Sequence, residues 1–222
     1  MTEENPTCIV LLSGGIDSAV CAFLAKEKYT AVHCLHFDYG QRNAAKESAC
    51  SKKIATHIGA SYHEIEMPWY SLINGSSSVI NNQIIPDSKL SKDHLPNTIV
   101  PFRNGTMLSI ATAFADAWDI DAIYIRTTYA DESGYPNCRP EFFWAMQNVL
   151  LNGSSKAHPI LEVPLGDMDK SDVINLGKRL KVPFKDTWSC YSRSDDPCGN
   201  CLACNVRKEG FKDVGMSDPL FS

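Results

Sequence analysis

Apolar residues along this chain gather into short runs separated by longer amphipathic stretches. TCIVLLS (7–13) and TAVHCLHFD (30–38) are apolar and rich in β-branched residues, so both read as strands, the first of them buried. SYHEIEM (61–67) alternates apolar and polar positions and reads as a third strand, and DAIYIRT (121–127) and PILEVPL (159–165) add two more. Residues 16–28, 42–58, 104–118, 141–151 and 170–180 carry helical patterns, the second ending at Gly59. Strands alternating with helices predict an α/β fold, a parallel sheet with helices on both faces. Ligands of such sheets bind at the carboxyl ends of the strands. Residues 68–100, with NGSSS and two late prolines, lack periodicity and read as a functional lid or a disordered loop.

At 222 residues the chain suits one α/β domain with a small appendage. No apolar run approaches the roughly 20 residues of a membrane span. The MTEENPT start is acidic and polar, unlike a signal peptide, so a cytoplasmic location and no membrane partner are expected. A net charge of −5 disfavours stable nucleic-acid binding but leaves room for a local cationic pocket around a nucleotide.

The first strand stops at SGGIDS (13–18), where Gly14 and Gly15 allow a tight bend and a helix begins at once. Unpaired N–H groups at a helix start, with the helix dipole, make a phosphate cradle. Ser13 and Ser18 add hydroxyls, and Asp17 is placed to hold Mg²⁺ or to cap the helix. The plain alternative is an ordinary strand-to-helix turn. GxxxxGK[ST] and GxGxxG are both missing, which excludes Walker-type ATPases and classical dinucleotide binders. SGG-x-DS resembles the PP-loop of N-type ATP pyrophosphatases. That resemblance implies a grip on the β,γ-pyrophosphate of ATP, attack at the α-phosphorus and an adenylylated substrate.

Nine cysteines divide into two groups. Cys8, Cys21, Cys34, Cys50 and Cys138 are scattered, and the first three lie among apolar residues and read as core packing. Cys190, Cys198, Cys201 and Cys204 form C-x7-C-x2-C-x2-C, four thiolates on a short loop that suit a closed, structural tetrahedral Zn²⁺ site. An iron–sulfur cluster and a sulfur-carrying CxxC are the chemical alternatives.

FDYGQR (37–42), PNTIVPFRN (96–104), DESGYPNCRPEF (131–142), DKSDVI (169–174) and the CGNCLAC tail (198–204) follow SGGIDS in order. Together they resemble the QueC family of 7-cyano-7-deazaguanine synthases over about residues 8–211. The resemblance implies an adenine-nucleotide α-hydrolase-like (Rossmann-like) fold, with a PP-loop domain over 1–188 and a zinc-binding segment over 189–222 packed on it. It implies that ATP adenylylates 7-carboxy-7-deazaguanine, that ammonia displaces AMP, and that a second ATP converts the amide into the nitrile. It carries ATP contacts to Leu12, Ser13, Gly14, Gly15, Asp17, Ser18, Phe37, Arg103 and Asn104. It carries substrate contacts to Tyr39, Arg42, Asp131, Tyr135 and Arg139, and catalytic roles to Asp17, Lys170 and Arg207. ATP, Mg²⁺ and one Zn²⁺ per chain are the implied cofactors, and a homodimer the implied assembly. Plain alternatives are a surface position for Lys170 or Arg207, a helix cap by Asn104 and a rigid turn at Tyr135-Pro136.

The chain departs from the usual family pattern at Asn43, Phe102, Arg126, Tyr129, Asn137 and Ser192-Arg193-Ser194. Bulky Phe102 and Arg126 replace small residues near strand ends, where they would reshape a pocket. Two readings therefore stand beside nitrile synthesis. One is a QueC-like enzyme of a bacterial defence system that passes the activated carboxylate to an amine of a partner protein. The other is a PP-loop tRNA-modifying enzyme, which the acidic balance and single-domain length disfavour. A nucleotide-binding module without catalysis is the plainest reading of the loop.

Overall fold

The computed structural model describes residues 6–73, 77, 98–128 and 135–221. Its sheet has five parallel strands: β1 (Thr7–Leu11), β2 (Ala31–Asp38), β3 (Ser61–Glu66), β4 (Ala122–Tyr124) and β5 (Ile160–Glu162). Their order is β3-β2-β1-β4-β5. β1 is central, with Val10 opposite Cys34 on one side and Tyr124 on the other. The order reverses between β1 and β4, and the crevice at that switch point is where such sheets bind ligands. Among the described residues six α-helices cover the sheet: α1 (Ile16–Lys28), α2 (Ala44–Ile58), α3 (Arg103–Trp118), α4 (Pro140–Gly153), α5 (Lys170–Arg179) and α6 (Leu202–Asp213).

Alternation along β1 divides the core. Cys8, Val10 and Leu12 pack with α1, with Ile54 and Ile58 of α2, with Val173 and Ile174 of α5 and with Phe211 of α6. Ile9 and Leu11 face the opposite layer, with Leu108 and Ala111 of α3 and Phe143 and Leu150 of α4. This is the expected sheet covered on both faces. Cys8, Cys21 and Cys34 are completely buried in it, as expected of small apolar residues. Two helix ends follow local chemistry. Gly59 closes α2 in the left-handed region, at φ 64°. Asp169 opens α5 with a capping box, its carboxylate accepting from Asp172 N at 2.9 Å.

The last two strands are shorter than the patterns of 121–127 and 159–165 predict. β5 lies at the sheet edge, and Pro164, with no N–H to give, comes two residues after its end. After Tyr124 only one further bond continues the ladder, from Ile125 N to Glu162 O at 3.0 Å. The chain then turns away, and Arg126 is delivered to the crevice. α6 lies where cysteine spacing dominates the sequence, and periodicity gives no separate element there. Arg207 sits in the middle of this helix, not near its end. Most of the aperiodic segment after residue 73 lies outside the described residues, as do Asp131 and Tyr129. No helix among the described residues is long and apolar enough to cross a membrane.

Candidate active site

The glycine turn is locked from within. Ser18 Oγ donates to Gly15 O at 3.1 Å and accepts from Ser13 N at 3.2 Å and Ser13 Oγ at 3.1 Å. Gly14 takes φ 78°, and a Cβ there would stand 2.6 Å from Glu47 O, so only glycine lets the loop press against α2. Gly14 O in turn accepts from Trp188 N at 2.9 Å. The first turn of α1 therefore opens into the crevice with its backbone N–H groups free of intrahelical partners.

Asp17, in that first turn, meets Lys170, the first residue of α5, in a short ion pair. Arg126 Nη1 stands 3.8 Å from the other carboxylate oxygen. Burial pushes the Asp17 carboxyl up, but Lys170, Arg126 and Arg207 outweigh it, and the group stays ionised below its ordinary range. The cavity wall thus carries four cations, Arg103, Arg126, Lys170 and Arg207, against two carboxylates, Asp17 and Glu47. This is a local cationic pocket in an acidic protein, the arrangement a polyphosphate requires.

At the β2 end the wall is built by Phe37, Tyr39, Glu47, Arg103 and Asn104. Tyr39 Oη accepts from Arg103 Nη1 at 3.1 Å. Asn104 does not cap α3. Its amide donates to Asn137 O at 2.9 Å and reaches Cys138 Sγ at 3.4 Å, tying α3 to the turn after Tyr135. Gln41 is fixed by two backbone contacts, its Oε1 accepting from Tyr39 N and its Nε2 donating to Phe37 O, and the same Nε2 donates to Glu47 at 3.1 Å.

The tail is pinned beside the loop. Cys190, Cys198, Cys201 and Cys204 place all four sulfurs within 4.8 Å of one another, and the Cys198–Cys204 separation is 3.9 Å. Four sulfurs at about 2.3 Å from a tetrahedral ion would lie ~3.8 Å apart, so the cluster fits a metal ion. Hydrogen bonds among these cysteines pull the Cys190 thiol down and push those of Cys201 and Cys204 up. Cys190 O accepts from Asn43 Nδ2 at 2.6 Å and from Trp188 Nε1 at 2.9 Å. The departure at Asn43 therefore has a place: it fastens the start of α2 to the cysteine loop.

Arg207 lines the cavity yet is only 1% exposed. It makes a bidentate pair with Asp218, at 2.8 and 2.9 Å, and donates to Thr187 Oγ1, Ser189 Oγ and Phe184 O. Its five N–H donors are all occupied within the chain. Within the chain Arg207 thus clips the tail, with its charge at the cavity wall.

Of the residues singled out in the sequence, Leu12, Ser13, Gly15, Asp17, Ser18, Phe37, Tyr39, Arg103, Asn104, Tyr135, Lys170 and Arg207 meet on one cavity wall. Gly14 supports it from behind. Arg42 and Arg139 are not on that wall, and Arg139 is exposed at the start of α4. Asp131 lies outside the described residues. Sequence reasoning missed Glu47, which looks like any acid in a first helical turn, although it follows FDYGQR by five positions. Arg126 drew notice only as a bulky departure.

A family model described as queuosine biosynthesis protein QueC matches residues 7–215. A 7-cyano-7-deazaguanine synthase of Methanospirillum hungatei is 41% identical over 214 residues, covering 96% of this chain and 97% of that one. Another, from Methanosphaerula palustris, is 40% identical over 215 residues with the same shares covered. Among solved structures, an NMN synthetase from Francisella tularensis superimposes with a TM-score of 0.54 at 16% identity, covering 96% of this chain and 78% of that one, which speaks to the fold alone.

Proposed function

The chain belongs to the QueC family, and from that premise we propose that it is an ATP-dependent carbon–nitrogen ligase acting on 7-carboxy-7-deazaguanine. Its carboxylate is adenylylated, ammonia displaces AMP to give the amide, and a second ATP carries the amide to 7-cyano-7-deazaguanine. The observation that carries this reading is the Asp17–Lys170 pair beside a lysine-free glycine loop. By its resemblance to a PP-loop, this loop grips the β,γ-pyrophosphate, which then leaves. Lys170 then stands ready to meet charge developing on the α-phosphate.

Each residue has a task in that scheme. The backbone N–H groups of Gly15 to Ser18 receive the β,γ-phosphates. Asp17 is an ionised carboxylate, the oxygen donor a hard cation takes, so it would hold Mg²⁺, which would neutralise polyphosphate charge. Phe37, Arg103 and Asn104 contribute to the nucleotide site, and Tyr39, Tyr135 and Asp131 to the deazaguanine. Arg207 positions the tail. The cysteine cluster holds one structural Zn²⁺, fixing Trp188 against the loop, and takes no part in a chemical step.

Stoichiometry tests the scheme. With ATP, Mg²⁺, 7-carboxy-7-deazaguanine and ammonium, two AMP and two pyrophosphate should form per nitrile. ADP as the product, or AMP release independent of the carboxylate, would reject it.

A further inference from the structure

Glu47 is a partly buried carboxyl on the cavity wall with no part in the scheme above. It stands in the first turn of α2, whose backbone touches the phosphate loop at Gly14. Its one hydrogen-bond donor among the described residues is Gln41, whose amide cannot turn over because Oε1 already accepts from Tyr39 N. Arg103 from α3 and Arg126 from beyond β4 face it across the crevice, and Asp38 faces it from the end of β2. Burial pushes the Glu47 carboxyl up to about 7, against the pull of Gln41, Arg103 and Arg126, and Asp38 adds to the rise. The group therefore changes protonation near neutrality.

Resting on the ligase reading, we propose that Glu47 is the proton acceptor for the nitrogen nucleophile. Ammonium carries a proton that must leave before its nitrogen can attack. Glu47 takes that proton, the freed lone pair forms the C–N bond to the acyl carbon, and the carbon–oxygen bond to AMP breaks. The second proton, lost from nitrogen after attack, leaves on the phosphate of AMP. Asp17 is a poor candidate for this task, because Lys170 and Arg126 hold it ionised and weakly basic. His36, also on the wall, donates Nδ1–H to Leu12 O at 3.0 Å, and burial holds its imidazole below the ordinary range, which makes it a weak base. A carboxylic acid that titrates at working pH is the group general-base chemistry selects.

The test compares two nucleophiles in one enzyme. Hydroxylamine is already neutral at pH 7 and needs no base. Carboxylate-dependent exchange of labelled pyrophosphate into ATP, measured first in the wild type, checks the underlying reading separately. In Glu47→Gln the ratio of ammonium to hydroxylamine transfer should fall about 100-fold, and Glu47→Asp should restore part of it. In the wild type, ammonium transfer should rise through pH 7, whereas in Glu47→Gln the rise should move to higher pH. An unchanged ratio, or the same loss in His36→Gln instead, would overturn the assignment while leaving the ligase standing. A raised KM for the deazaguanine with an unchanged ratio would overturn it too, by making Glu47 a base-binding residue. Absence of exchange in the wild type would overturn the ligase reading and the assignment with it.

Discussion

Lys170 lies on Asp17 although 153 positions separate them in the sequence. Each stands in the first turn of a helix, so two helix N-termini converge on one crevice and the ion pair marks where they meet. Both positive helix ends, with Lys170 and Arg126, face the region into which the phosphate chain of ATP would run.

Removing either partner should abolish turnover. Asp17→Asn leaves Lys170 and Arg126 without their counter-charge and should cost about 3 kcal/mol in unfolding free energy. Because the folded-state carboxyl titrates below its unfolded value of about 4, its contribution is complete above that value and lost as pH falls below it. Denaturant unfolding of the variant and wild type at neutral pH and at pH 3 measures this. The gap between them should be smaller at pH 3 than at neutral pH, and a constant gap would remove the ion pair from the explanation.

Arg207→Lys separates a clip from a catalytic cation. The bidentate pair with Asp218 cannot be rebuilt by an ammonium, and Asp218 is left buried with a poor partner. Unfolding midpoints should drop by the equivalent of about 3 kcal/mol, and folded enzyme should keep most of its affinity for ATP. A fully stable but inactive Arg207→Lys would restore the phosphate-contact role.

Gly14→Ala should be poorly tolerated. Its left-handed backbone alone costs about 1–2 kcal/mol for an alanine, and the new Cβ would run into Glu47 O. Thermal unfolding should show the loss, and calorimetry should show no ATP binding. Wild-type affinity in this variant would mean that the loop does not need its close approach to α2.

Stripping the metal should act on the loop at a distance. Elemental analysis should find one zinc per chain, and removal by chelator at mildly acidic pH, where thiolates protonate, should be easier than at pH 8. The stripped protein should lose thermal stability and expose Trp188, now packed against the cysteine cluster at 4% exposure. Its fluorescence should shift to the red. A metal-free protein with unaltered Trp188 emission would break the link between cluster and loop.

Residues that declare themselves through local chemistry were legible in the sequence. SGGIDS makes a tight glycine bend between a buried strand and a helix, DKSDVI opens a helix, and the cysteine spacing defines a cluster. What burial decides was not legible. Arg207 has the composition of a phosphate ligand, but Asp218, Thr187 and Phe184 absorb its donors. Asn104 has the composition of a cap, but its partner is Asn137 O across a helix boundary. Glu47 resembles a solvated first-turn acid until the fold encloses it with Gln41. The fourth and fifth strands were overextended because apolar character continues past the point where the ladder ends.

The central claim is that the activated carboxylate of a deazaguanine receives its nitrogen from ammonia. Incubation with ATP, Mg²⁺, 7-carboxy-7-deazaguanine and ¹⁵N-ammonium, followed by mass spectrometry of the base, tests it most directly. The account predicts 7-cyano-7-deazaguanine carrying one ¹⁵N at the nitrile. Unchanged carboxylate with ATP and ammonium in excess, or a base whose mass shows no incorporated ¹⁵N, would contradict it.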